Sequence, residues 1–255
     1  MSVPPLTWLY VPADRLDRVE KALASRAHAV IVDLEDGVAP SGKEAARANL
    51  GRWSTPEKPL YVRVNARRPA DLEAVASLTL DGVVVPKVET PDDVPDVGLP
   101  VVALVESAAG LEAAYEIARH PRVAGLGLGE ADLRSQTGAT DLDWARARLV
   151  NAAVAAGLPR PPQSVYPHVK DTEGLERSCR RGRELGHLGR TAIHPAQLPV
   201  IEAVYLPTAE EVERARETIA LLKAGGVGAL EGGEFVDAAM LGAARQVVGL
   251  AERYG

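Results

Sequence analysis

The chain has a single cysteine, Cys179, among its 255 residues, which excludes an intrachain disulfide and a cysteine-based zinc site. Cys179 falls at helical spacing with Leu175 and Gly182, the pattern of a small buried helix residue and not of a nucleophile. No stretch is long and apolar enough to span a bilayer. The opening Met1 to Leu6 shows no basic segment ahead of an apolar one, so no secretory signal is expected. Basic residues do not dominate either: 29 Lys and Arg stand against 35 Asp and Glu, a formal net charge of −6. Such a balance gives no electrostatic support to a nucleic-acid partner. Repeats, low-complexity tracts and long linkers are missing too. These absences predict a cytoplasmic protein with neither membrane nor nucleic acid as partner.

What is present is 46% hydrophobic, enough for a sizeable core, arranged as short β-branched runs alternating with helical patterns. Eight runs can be counted: Leu6–Val11, Ala29–Leu34, Leu60–Val64, Gly82–Pro86, Val101–Val105, Val123–Leu128, Gln163–Tyr166 and Thr191–His194. Most are apolar nearly throughout, as parallel strands covered on both faces should be. Between them, Asp14 is expected to cap a helix with Leu16, Val19 and Leu23 on one face. Leu111, Ala114, Tyr115 and Ala118 make a second face, and Leu142, Ala145, Leu149 and Ala152 a third. Thr208 with Glu211 forms a capping-box pattern. Eight β/α units in about 250 residues predict a (β/α)₈ TIM barrel over residues 1–223. A glycine-rich run, Ala224–Gly233, and a final helix follow. Residues 224–255 are read as a hinge with a C-terminal lid, although a helix that closes the barrel bottom would carry the same composition.

Barrel enzymes place their chemistry at the carboxyl ends of the strands. The residues there are Asp33, Glu35 and Asp36 after the second run, Arg63 and Asn65 at the third, Lys87 after the fourth, Glu106 after the fifth, Asp132 after the sixth and His194 after the eighth. Singly, each has a bland explanation: helix caps for the acids, surface pairs for Arg63 and Lys87, a loop role for His194. Their convergence on one rim is what suggests a site. Glu106 and Asp132 follow neighbouring parallel strands, about 4.8 Å apart, and repel unless a cation lies between them. Oxygen-only ligation with open positions suits Mg²⁺ better than zinc. Arg63 is placed to grip a substrate carboxylate in bidentate fashion. Arg15 and Lys87 are further candidate substrate contacts.

With these residues in view, the chain resembles the citrate lyase beta subunit-like proteins and malyl-CoA lyases of the HpcH/HpaI aldolase superfamily. The resemblance is carried by Tyr10-Val11-Pro12-Ala13-Asp14-Arg15, Asp33-Leu34-Glu35-Asp36-Gly37-Val38-Ala39-Pro40, Val62-Arg63-Val64-Asn65, Val85-Pro86-Lys87, Val105-Glu106-Ser107-Ala108-Ala109-Gly110 and Gly127-Leu128-Gly129-Glu130-Ala131-Asp132-Leu133. Ile193-His194-Pro195 and Phe235-Val236-Asp237 extend it. It implies Mg²⁺ held by Glu106 and Asp132, an acyl or oxo-acid group on Arg63, and metal-bound waters ordered by Glu35 and Asp36. It also implies an acid/base aspartate, Asp237, on a lid that covers a neighbouring subunit's site in a homo-oligomer, trimer or hexamer. Glu130 departs from the family pattern and is expected to add an acid beside the metal, and Ala238-Ala239 departs from it after the lid aspartate. The implied activity is carbon–carbon lysis of a 3-hydroxyacyl-CoA thioester to an acyl-CoA and an oxo acid. Two alternatives are a metal-dependent pyruvate/aldehyde aldolase without CoA, and a subunit of a multi-chain citrate lyase acting on an acyl-carrier protein or a non-catalytic accessory protein.

Overall fold

The computed structural model describes residues 3–54, 57–224, 228–229 and 235–255. Seven parallel strands form one sheet: β1 (Thr7–Pro12), β2 (Ala29–Asp33), β3 (Leu60–Arg63), β4 (Gly82–Val85), β5 (Val101–Val105), β6 (Val123–Leu128) and β7 (Arg190–Ala192), in the order β6-β5-β4-β3-β2-β1-β7. Each pairs in parallel with its neighbour and helices fill the connections, as the alternating pattern requires. The expected seventh run behaves differently. Gln163 makes one isolated parallel bridge to Arg190 and the run forms no strand. Pro161 and Pro162 lie just before it, and proline supplies no N–H to a ladder. The sheet is therefore open between β6 and this bridge among the described residues.

The period of two in a strand sorts side chains onto the two faces. One face carries a cluster of Trp8, Ala29, Ile31 and Val84, with Tyr10, Tyr61, Val102 and Leu104 packed against it. Leu9, Val11, Val30, Val32, Val62, Val83, Ala103 and Val105 alternate with these and are buried on the other. Two further residues along, the first face turns from apolar to ionic: Ile31 leads to Asp33, Tyr61 to Arg63 and Leu104 to Glu106. On β6 the matching positions are glycines. A Cβ on Gly127 would stand 2.5 Å from Leu104 Cδ2, and one on Gly129 2.4 Å from Glu106 Cγ. Bare backbone there is what lets the β5 side chains lie across β6.

The helix Leu16–Leu23 begins one residue later than expected. Arg15 is its N-cap and makes no side-chain cap, while Asp14 Oδ1 is buried without a hydrogen bond. Once the first turn starts at Leu16, Asp14 precedes the capping position. The second predicted face breaks at Ala113 into helices Ala108–Glu112 and Ala114–Ala118, which turns Tyr115 outward and Ile117 inward. The third holds, with Leu142, Ala145, Leu149 and Ala152 all buried. Cys179 is buried in the helix Thr172–Glu184 beside Leu175 and Gly182.

Chain contacts define two compact units, Pro5–Glu202 and Met1–Pro4 with Ala203–Gly255. The second contains the helix Ala209–Lys223, started by the predicted Thr208–Glu211 capping box, and the helix Leu241–Tyr254 packed against it. It also holds a short antiparallel pair, β8 (Gly228–Ala229) and β9 (Phe235–Val236). The expected hinge falls largely on residues 225–227 and 230–234, outside the described residues. No helix among the described residues is long and apolar enough to cross a membrane.

Candidate active site

Asp33 and Arg63 end neighbouring strands and are register partners, so their side chains meet at the carboxyl rim. The carboxylate takes Arg63 Nε on Oδ1 and Nη2 on Oδ2, both at 2.7 Å. The same two oxygens accept the backbone N–H groups of Glu35 at 2.9 Å and Gly37 at 2.8 Å, which fixes the turn after β2. Arg63 Cζ lies 4.9 Å from the centre of the Tyr10 ring, a stacked cation–π contact. Burial opposes the guanidinium charge, but the hydrogen bond and charge of Asp33 outweigh it and raise the Arg63 pKa. The Nε/Nη2 edge belongs to Asp33, so a substrate carboxylate would have to meet Arg63 on its outer Nη1/Nη2 edge, where Glu35 also approaches Nη1.

Glu35 is buried between two cations. Lys87 Nζ donates to Oε1 at 2.8 Å, and Arg63 Nη1 lies 2.8 Å from Oε2 without an aligned N–H, so that oxygen has no hydrogen bond of its own. Behind Glu35, Lys43 Nζ donates to the carbonyls of Leu34 and Glu35 and to Asn65 Oδ1, tying the β2 and β3 loops together. Asn65 in turn donates from N and Nδ2 to the fully buried Asp71. Asp36, two residues from Lys43's partner Leu34, is exposed and makes no hydrogen bond or ion pair among the described residues.

Lys87 has φ 57°, a left-handed backbone that turns its N–H onto Glu106 Oε2 at 3.0 Å. Glu106 is 7% exposed, and its pKa is pushed up to about 7, first by burial and then by the charges of Glu35 and Asp132. Asp132 lies on the first turn of the helix Glu130–Thr137, exposed and without a hydrogen bond or ion pair among the described residues. Glu106 and Asp132 line one cleft of about 460 Å³ with Ala66, Arg67, Lys87 and Gln136. Glu130, expected beside them, instead pairs with Arg146 through both oxygens, at 2.9 and 2.6 Å. A helix residue two before Asp132 projects from a different side of the helix.

This donor set fits a hard divalent cation. Two carboxylates face one space, and burial together with neighbouring negative charge raises the pKa of one of them, Glu106. The open backbone of Gly129 leaves room for Glu106 Oε1, which a Cβ there would crowd at 2.6 Å. No group of three or more His, Cys, Asp or Glu suited to a metal occurs among the described residues. Water or ligand oxygens would have to fill the other positions, as is usual for Mg²⁺ and not for closed zinc sites.

The remaining candidates make local contacts. Arg15 is exposed and pairs with Asp17 at 3.4 Å. His194 caps a short 3₁₀ turn by accepting from Ala196 N, the loop role expected of it. Asp237 belongs to the second unit, where its Oδ1 accepts from Ala239 N at 2.9 Å and starts a 3₁₀ turn. Asp33 was visible in the acidic motif without a role of its own. The signal that assigns one is alternation, since residues 29, 31 and 33 share the face that carries residues 61 and 63.

A parallel α/β sheet with an acidic, arginine-backed cleft at its carboxyl rim defines a class of enzyme sites that handle oxygen-rich anions. The sequence places it more narrowly, for the family described as HpcH/HpaI aldolase/citrate lyase matches residues 6–99 and 96–195. The chain belongs to this family. It is 40% identical over 235 residues to a (3S)-malyl-CoA thioesterase of Cereibacter sphaeroides, covering 83% of this chain and 81% of that one. A citrate lyase subunit beta-like protein of Mycobacterium tuberculosis is 35% identical over 251 residues, covering 92% and 91%. Among solved structures, CitE from M. tuberculosis in complex with magnesium, acetoacetate and coenzyme A superposes with a TM-score of 0.85 at 33% identity, covering 98% of this chain and 99% of that one.

Proposed function

We propose that this protein is a Mg²⁺-dependent carbon–carbon lyase that splits a 3-hydroxyacyl-CoA thioester into acetyl-CoA, or a related acyl-CoA, and an oxo acid. The observation that carries the reading is the pairing of Glu106 and Asp132 in one cleft, with the Asp33–Arg63–Glu35–Lys87 chain of charges beside it. The relatives' names, a malyl-CoA thioesterase, a malyl-CoA lyase and CitE with bound CoA and acetoacetate, support an acyl thioester and an oxo acid as ligands. Closure of the sheet into a complete (β/α)₈ barrel and coverage by a C-terminal lid belong to the same proposal.

In cleavage, the 3-hydroxyl proton leaves to a base as the bond between the hydroxyl-bearing carbon and the α-carbon breaks. The hydroxyl carbon becomes the oxo acid's carbonyl, and the bonding pair passes to a thioester enolate. Arg63 presents its outer edge to the oxo acid's oxygens, with its plane set by Asp33 and Tyr10. Lys87 neutralises Glu35 and so keeps a second negative charge from facing the incoming acid. Asp237 delivers the proton that turns the enolate into the acyl product, and removes it in the reverse direction. A magnesium ion held by Glu106 and Asp132 would supply Lewis-acid stabilisation of oxygen charge.

A second reading, thioester hydrolysis, is favoured by the 40% identity to a malyl-CoA thioesterase. One assay separates the two. Incubated with a malyl-CoA-type thioester and Mg²⁺, a lyase releases oxo acid with no free thiol, whereas hydrolysis releases thiol with no oxo acid. The oxo acid is expected, and it should vanish in Asp237→Ala with Mg²⁺ affinity little changed. Wild-type turnover in that variant would remove Asp237 from the mechanism.

A further inference from the structure

Only two residues other than glycine hold a positive φ among the described residues, Arg67 at 51° and Lys87 at 57°. Both are cationic and both line the cleft. An L-residue in this conformation carries a backbone cost that glycine avoids, and such residues cluster where function over-determines the chain. At Lys87 the return is visible inside the protein, because the turned backbone aims its N–H at Glu106 and its ammonium reaches Glu35.

At Arg67 the protein offers no comparable return. Its side chain is 81% exposed, and its one hydrogen bond or ion pair among the described residues is Nη2 to Asp93 Oδ1 at 3.2 Å, the kind of surface pair that contributes little. Asp93, in contrast, is rigid. Its Oδ2 accepts from Glu89 N, Thr90 N and Thr90 Oγ1 at 3.1, 3.0 and 3.2 Å. A fixed carboxylate thus tethers a guanidinium at the cleft and uses one of its five N–H donors, leaving the others open. Across the cleft, Gln136 spends its Oε1 on Ala108 N and has no partner for its amide nitrogen among the described residues. Cation and neutral donor both await acceptor oxygens.

We propose that Arg67 is a specificity-determining residue that binds an oxyanion, a phosphate or a carboxylate, on the portion of the substrate extending away from the reacting carbons. The proposal rests on the thioester reading above. The phosphates of a CoA carrier and a distal carboxylate of the acyl group are the two sources of that chemistry.

Steady-state kinetics of wild type, Arg67→Ala and Arg67→Gly on a CoA thioester and on the N-acetylcysteamine thioester of the same acyl group, which lacks phosphate, test it. Loss of a charge-assisted contact should raise KM about tenfold or more with kcat little changed. A rise confined to the CoA thioester assigns the phosphate, and an equal rise on both assigns the carboxylate. Arg67→Gly removes the backbone cost, so its Tm should be no lower than that of wild type while its KM rises. An unchanged KM on both substrates overturns the proposal. If wild type turns over neither thioester, the lyase reading fails by itself. Calorimetric titration with pyrophosphate and with malate then decides: weaker binding to Arg67→Ala than to wild type supports the anion site, and equal or absent binding overturns it.

Discussion

Glu106 is the residue whose energetics most directly report the site. Its carboxyl is raised from 4.5 to about 7 by burial and by Glu35 and Asp132, so folding favours the protonated side chain. The stability this group contributes is complete below about pH 4.5, and it is lost as pH rises through about 7. In chelator, wild type should therefore lose on the order of 2–3 kcal/mol more between pH 5 and 8 than Glu106→Gln, whose amide does not titrate. Parallel denaturant melts at the two pH values measure this, and equal losses in the two proteins would show that the Glu106 pKa is not raised by its surroundings. A divalent cation reverses the preference, so Mg²⁺ affinity should rise through the same pH range. The identities of these acids were legible along the chain. Which of them had partners was not: Glu35 and Glu130 look alike in sequence, yet one sits between Arg63 and Lys87 and the other locks onto Arg146.

At the level of elements, β6 matters as much for what it omits as for what it carries. Gly129 has φ −86°, a conformation open to any residue, so the constraint there is space. Gly129→Ala should push the Glu106 carboxylate aside and lower kcat/KM about 100-fold, the penalty of a roughly 1 Å misplacement, with circular dichroism unchanged. Gly125→Ala is the control, because a Cβ there meets nothing nearer than Val102 Cγ2 at 3.7 Å. Equal activity in the two variants would refute the close approach. Six of the eight expected strands form on runs rich in Val, Ile and Leu, whose apolar bulk suits a sheet covered on both faces, while β7 (Arg190–Ala192) carries none of these residues and forms by pairing with β1. The run at Gln163 has the flanking prolines of a loop, and a short polar stretch does not reveal whether a neighbour will pair with it. Asp14 shows the same limit at a helix end, where a shift of one residue removes a cap.

For the whole molecule, the resemblance implies a lid aspartate acting across subunits. If Asp237 completes the site of a neighbouring copy, two inactive variants should complement each other. Mixing Asp237→Ala with Glu106→Gln subunits under exchange conditions should restore about a quarter of wild-type turnover, the share of sites with both residues intact in a closed ring. No recovery, with mixed oligomers demonstrated by mass spectrometry, would place Asp237's action within its own chain.

Composition and periodicity by themselves determined the α/β class, the parallel strands and the rim on which the ionisable residues gather, because all three follow from burial and from a strand repeat of two. Pairing was decided only in three dimensions. The capture of Arg63's inner edge by Asp33, the turning of Lys87 onto Glu106, the removal of Glu130 to Arg146 and the division of the chain after Glu202 each depend on which groups come within a few ångströms. The energy of a charge is set by its nearest neighbours, and those are supplied by residues tens of positions away in the chain.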